Sequence, residues 1–206
     1  MSGIAIYAEG GGETASTKAG LRQGMDNFLI ELKHKARNRG FRWKLIMCGG
    51  RTEAYRAFSR TPVSSQYPIR ILLVDAESEA KKKSTEHLHE RDGWNFSDVN
   101  PSRVHLMTQT METWIAADPE ALASYYGLNF RANAMPAAAN LETVPKDDIA
   151  KGLSAATKAT AKGEYHKIRH ASELLPRIDP LKVRTRCPRC ELLFESLEQF
   201  IVQSAV

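Results

Sequence analysis

Six strand-forming residues, Ile69-Arg70-Ile71-Leu72-Leu73-Val74, run without a break into an acid, Asp75. A run this short and this apolar reads as a strand buried on both faces of a sheet. Two earlier segments are of the same kind. Ile4 to Ala8 ends in Glu9, and Trp43 to Cys48 is closed by Gly49-Gly50. Helical patterns separate the three. The stretch Ser16 to Arg39 carries Leu21, Met25, Phe28, Leu29 and Leu32 at helical spacing and is stopped by Gly40, and a shorter helix spans Thr52 to Ser59. Strand, helix, strand, helix, strand predicts an α/β fold with a parallel sheet covered by helices.

Beyond Glu79 the pattern loosens. Lys81-Lys82-Lys83 is a solvated turn or a nucleic-acid contact, and His87 to Trp94 reads as a short helix and loop. Val104 to Met107 is a fourth candidate strand leading into Met111 to Ile115. Asp118-Pro119-Glu120 has the form of a helix start: an N-cap acid, proline at the first helical position, then an acid in the first turn. That helix stops at Gly127. Residues 128 to 145, rich in Ala, Asn and Pro, form an excursion or linker. Helices then span Lys146–Lys158, Tyr165–Leu175 and Glu191–Val202, with Pro176 and Pro180 as punctuation. The expected organisation is an α/β core over residues 1–127, with a helical, basic C-terminal extension over 128–206 packed on it.

The 206 residues suffice for one substantial domain. No stretch approaches the ~20 apolar residues of a membrane span, and the segment from Met1 to Tyr7 lacks the basic start of a secretory signal. A cytoplasmic location without membrane attachment is the expectation. Three cysteines are too few for a disulfide framework. Cys187-Pro188-Arg189-Cys190 has zinc-knuckle spacing, which Cys48 and His170 could complete across the fold. The preferred alternative is two small thiols at a helix entrance.

The net charge of +5 is unevenly spread. Between Lys146 and Arg189 there are eleven Lys or Arg against five Asp or Glu, while the first 145 residues are close to balanced and the tail is acidic. Such a patch is the electrostatic footprint of a polyanion-binding face or, equally, a solvated helical surface.

Open parallel sheets bind ligands at the carboxyl ends of their strands. There the sequence places Glu9, Asp75 and Glu77. In Asp75-Ala76-Glu77 alternate side chains can point the same way. Three converging carboxylates repel one another unless a cation neutralises them, and hard oxygen donors favour Mg²⁺ or Mn²⁺. Gly10-Gly11-Gly12 follows Glu9 at once and would let backbone N–H groups approach a phosphate, although neither a Walker loop nor GxGxxG is present.

The segments Tyr7-Ala8-Glu9-Gly10-Gly11-Gly12 and Leu73-Val74-Asp75-Ala76-Glu77 resemble the catalytic core of Toprim proteins, a family that includes OLD-type nucleases of bacterial and phage defence. Cys48-Gly49-Gly50-Arg51, His105-Leu106-Met107, Met111-Glu112-Thr113-Trp114 and Lys162-Gly163-Glu164-Tyr165-His166-Lys167 extend the likeness to a bacterial Toprim-like branch. One departure is Glu77, where the family usually carries a second Asp. The resemblance implies a Toprim-like (Rossmann-like) fold and a metal-dependent endonuclease acting on DNA or RNA, in a bacterial anti-phage module with a separate ABC- or AAA-type ATPase. It also implies a further acid on a later element, for which Glu112 is the candidate. Two-metal phosphodiester hydrolysis uses ions ~4 Å apart. Glu9, Asp75 and Glu77 would be the ligands, with Glu112 holding a second ion or orienting water. Lys158, Lys162, Lys167 and His170 are spaced to bring positive charge to the phosphate, with Arg51 as another source. A catalytically weak nucleic-acid-binding or regulatory subunit is the alternative, and whether the chain self-associates stays open.

Overall fold

The computed structural model describes residues 3–60 and 66–203. Its sheet has four strands: β1 (Gly3–Ala8), β2 (Arg42–Met47), β3 (Ile69–Asp75) and β4 (Val104–Met107). They lie in the order β2-β1-β3-β4, all parallel. All four therefore point their carboxyl ends to the same edge. Ten α-helices surround the sheet among the described residues: α1 (Ala15–Phe28), α2 (Ile30–Asn38), α3 (Arg51–Arg60), α4 (Ser84–Asp92), α5 (Met111–Ala116), α6 (Pro119–Tyr126), α7 (Lys146–Thr157), α8 (Lys167–Leu174), α9 (Pro180–Arg186) and α10 (Pro188–Gln203).

The period-2 geometry of a strand divides its residues between two cores. Ile4, Ile6 and Ala8 of β1 join Ile69, Ile71 and Leu73 of β3 on one face; Ala5 and Tyr7 join Leu72 and Val74 on the other. The second face is covered by Ala54 and Phe58 of α3 and Leu88 of α4, with Trp94 beyond. The first face carries the larger core, to which α1, α2, α5 and α6 contribute together with Leu153, Leu174, Val183, Leu193 and Leu197 of the C-terminal helices. Residues 128–203 thus share one continuous apolar cluster with the sheet, and α10 lies against β4. Among the described residues no helix is long and apolar enough to cross a membrane.

Two expectations from the sequence need correction. The helix expected over Ser16 to Arg39 is two helices that part at Leu29, whose φ of −96° and ψ of 17° leave the helical region. The apolar positions run on through the break, so periodicity alone does not reveal it. Pro180 does not merely punctuate. It is the first residue of α9, and Asp179 caps the helix by accepting the Leu181 N–H at 2.8 Å. This is the same device as Asp118-Pro119 at the start of α6, where Asp118 accepts the Ala121 N–H.

Candidate metal centre

Glu9, Asp75 and Glu77 meet at the carboxyl edge of the sheet, offering carboxylate oxygens that all lie within 4.8 Å of one another. The convergence follows from strand order. β1 and β3 are neighbours, and the Glu9 N–H continues their pairing by donating to the Leu73 carbonyl at 2.9 Å. The Glu9 side chain then turns back, and its Oε2 accepts the Asp75 N–H at 3.0 Å. Asp75 Oδ1 accepts the Met111 N–H at 2.9 Å, seating the carboxylate on the first turn of α5. Ala76 and Glu77 pair onward with the carbonyls of Met107 and Gln109. Glu77 itself has a φ of 65°, a left-handed conformation that a β-strand continuation would not have.

Two lysines face these acids. Lys146 Nζ bonds Glu77 Oε2, and Lys167 Nζ stands 3.6 Å from Asp75 Oδ2 and 3.5 Å from Glu112 Oε2. The side chains of Asp75 and Glu112 are only 5% and 10% exposed, whereas Lys167 is more than half exposed. Burial pushes the Asp75 carboxyl up to about 8; Glu9, Glu112 and Glu77 add to that rise and Lys167 opposes it. Burial also raises Glu9. At Glu77 burial acts upward, but the hydrogen bond and charge of Lys146 outweigh it and hold the carboxyl below its ordinary value. The cluster is therefore short of positive charge at Asp75 and Glu9. The donors are hard oxygens, and a divalent cation of the Mg²⁺ or Mn²⁺ type fits them.

Beside the acids lies a cavity of about 240 Å³. One wall is the loop Gly10-Gly11-Gly12 with Gly49, and the other is Leu21, Met107, Met111 and Ile168. Gly10 and Gly49 exchange backbone hydrogen bonds at 2.8 and 3.1 Å. Only glycine fits this loop. Gly11 has a φ of 88°, and a Cβ there would come within 2.8 Å of Lys18 Cα. Thr17 ties the loop to α1 by donating its hydroxyl to the Gly11 carbonyl.

The remaining predicted residues are distributed as follows. Glu112 stands next to Asp75 across Lys167, and Tyr165 donates to its Oε1 at 3.4 Å. Arg51 lies beneath the cluster: its guanidinium donates to the Asp75 carbonyl at 3.0 Å, pairs with Asp92 at 2.7 Å and rests over the Trp94 ring. It positions the end of β3 rather than lining the cavity. His170 is buried among Tyr125, Tyr126 and Tyr165, held by the Tyr126 hydroxyl at 2.9 Å and the His166 amide at 3.0 Å. It shapes the start of α8 and is not brought to the acids. Lys162 sits over the Tyr125 ring at 4.6 Å, and Lys158 is exposed. Cys187 and Cys190 are free thiols buried in the main core, and neither joins a metal-ligand cluster among the described residues. Burial raises both thiols well above their ordinary value.

The basic segment also changes meaning in three dimensions. Besides Lys146 and Lys167, Lys151 pairs with Asp148, Lys182 with Asp118 and Glu120, and Arg184 with Glu191. Arg186 donates to the carbonyls of Ala117, Pro136 and Ala138, and Arg189 to those of Ala80 and Lys82. Arg177 joins Lys162 at the Tyr125 ring. Lys182, Arg184, Arg186 and Arg189 are thus tied into the fold, whereas Lys151, Lys158, Lys162, Lys167, Arg169 and Arg177 stay exposed. Sequence reasoning passed over Lys146 and Tyr165 as site residues. Gln109 brings Lys146 in, its side chain bonding the Val144 carbonyl and the Lys146 amide, and no local pattern announces that contact.

No curated protein and no solved structure matches the chain. One family model does, over residues 8–198, a span that contains Glu9, Asp75, Glu77, Glu112 and Lys167. The chain belongs to the family described as DUF4276, a domain of unknown function.

Proposed function

We propose that the chain is a Toprim-type, metal-dependent nuclease that hydrolyses nucleic-acid phosphodiesters. The observation that carries this reading is the convergence of Glu9, Asp75 and Glu77 at the carboxyl edge of a parallel sheet, beside a cavity walled by glycine backbone. A Mg²⁺ or Mn²⁺ ion held by these three acids would supply Lewis-acid charge at a phosphoryl oxygen and activate water. The protein's own groups have separate tasks. The glycine loop lets a phosphate approach closely, with no side chain in its way. Lys167, about half exposed and with its Nζ anchored on Asp75 and Glu112, places a positive charge on the wall of the cavity. Tyr165 orients Glu112. The resemblance to OLD-type nucleases adds a separate ATPase partner and a role in bacterial anti-phage defence to the same proposal.

A second reading, a catalytically weak binding or regulatory subunit, draws support from Lys146 and Lys167. The chain itself supplies cations to the acid cluster, and a metal ion must compete with them. Incubating the purified protein with supercoiled plasmid and with structured RNA, in Mg²⁺, Mn²⁺ or EDTA, separates the two. The nuclease reading expects cleavage that needs the metal and disappears in Asp75→Asn. Nucleic acid bound but left intact in every metal would favour the second reading.

A further inference from the structure

The edge of the sheet at β2 is bordered by a groove of about 530 Å³ between that strand and helices α1 and α2. Lys18, Arg22, Lys33, Arg37 and Lys44 line it, against a single acid, Asp26. Asp26 is neutralised in place, because Lys33 pairs with it at 3.0 Å and Trp43 Nε1 donates to its other oxygen at 3.1 Å. Lys18, Arg22, Arg37 and Lys44 have no carboxylate partner among the described residues, and the last three are exposed, with Lys44 Nζ 5.8 Å from the centre of the Tyr67 ring. Four cations without a carboxylate partner among the described residues therefore share this one groove, which the linear charge pattern does not indicate.

The groove and the cavity at the acids share no lining residue but are neighbours across α1. β2 runs parallel to β1, so its Met47 end arrives at the acid edge and its Arg42 end lies roughly 16 Å away at ordinary strand rise. Lys18 joins the two regions. It lines the groove, while its backbone lies against Gly11 and its ammonium against Gly49, the glycines that wall the cavity. The geometry points to the α1–α2–β2 groove as the track of a nucleic-acid strand, whose phosphates run from Arg37 and Lys44 past Arg22 to Lys18 and enter the site at the glycine loop. The inference rests on the nuclease reading for its direction, since that reading places the scissile phosphate at the acids. It rests on the charge of the groove for its occupant.

The test is binding of a fluorescently labelled single-stranded oligonucleotide, and of its duplex, by anisotropy in EDTA across a salt series. The parent is compared with Lys18→Gln/Arg22→Gln/Arg37→Gln/Lys44→Gln and with a control on α3, across the sheet, Arg56→Gln/Arg60→Gln. Glutamine keeps the aliphatic stems, and circular dichroism verifies the fold. The groove variant is expected to bind more than tenfold more weakly, with the slope of log affinity on log salt lowered by about three, as for four lost phosphate contacts on a single strand. The control should change less than twofold. A groove variant that binds like the parent, or a control that loses as much, overturns the inference. Weakened binding in a protein that never cleaves would leave the groove standing and remove the nuclease reading; cleavage indifferent to the groove substitutions would do the reverse.

Discussion

Asp75 is held at three points: its amide on Glu9, its Oδ1 on the Met111 N–H and its carbonyl on Arg51. What remains free is Oδ2, and Lys167 faces it. Replacing that lysine tests how the protein balances the acids. In Lys167→Met, the affinity for Mn²⁺ measured by calorimetry should rise severalfold, because a competing cation is gone, while metal-dependent cleavage falls by tenfold or more. Unchanged affinity would show that the lysine does not compete. The glycine loop has a sharper requirement. Gly11→Ala forces a Cβ against Lys18 Cα at positive φ, and it should cost about 1–3 kcal/mol in urea unfolding and abolish cleavage. Glu9, Asp75 and Glu77 were legible in the sequence because each follows a strand, and strand ends of a parallel sheet share one edge. Lys146 and Tyr165 were not, because they reach the site from the C-terminal half, through the Gln109 clamp and the contact on Glu112. Nothing local in their sequence marks those contacts.

At the scale of elements, buried Asp118 fastens α9 to the core, and buried His105 ties β4 to the turn before it. Asp118 caps α6 through the Ala121 N–H and accepts the Asp179 N–H and Lys182 Nζ at the start of α9. Asp118→Ala removes a cap and leaves those donors without it, so about 2–4 kcal/mol should be lost in urea unfolding; a loss under 1 kcal/mol would show that solvent replaces the carboxylate. His105 of β4 is buried, with its Nε2 on the Ser102 carbonyl. Burial lowers its pKa to about 4, and Arg189 nearby adds to the effect. The unfolded chain takes up a proton on this histidine near pH 6.5, so the native state loses stability as pH falls from there toward 4. Between pH 7.5 and 5 the parent should lose about 2 kcal/mol more than His105→Gln, measured by urea titration at each pH. β1, β3 and β4 were readable because a strand buried on both faces is mostly apolar, with Arg70, Asp75 and His105 as the exceptions. α9 was not, since its seven residues are too few for a periodic pattern and Pro180 was read as a stop. The break at Leu29 leaves no mark in the repeating apolar positions.

Across the whole molecule, the sheet gathers three acids at one edge, and a cluster of cations without carboxylate partners among the described residues lies along the neighbouring β2 groove. Fold class was legible from alternation alone. The charged face was not, because a linear count cannot distinguish a cation that is bonded internally from one left to solvent. The central claim is that Glu9, Asp75 and Glu77 form a divalent-metal site, and a ligand that binds only the native state stabilises the whole chain by mass action. The direct measurement is the thermal unfolding midpoint of the parent and of Asp75→Asn as Mn²⁺ is titrated, with Ca²⁺ and Mg²⁺ alongside. The midpoint should climb with Mn²⁺ by several degrees in the parent and stay flat in Asp75→Asn. A parent midpoint indifferent to every divalent ion, or a variant that climbs equally, would contradict the claim of a metal site.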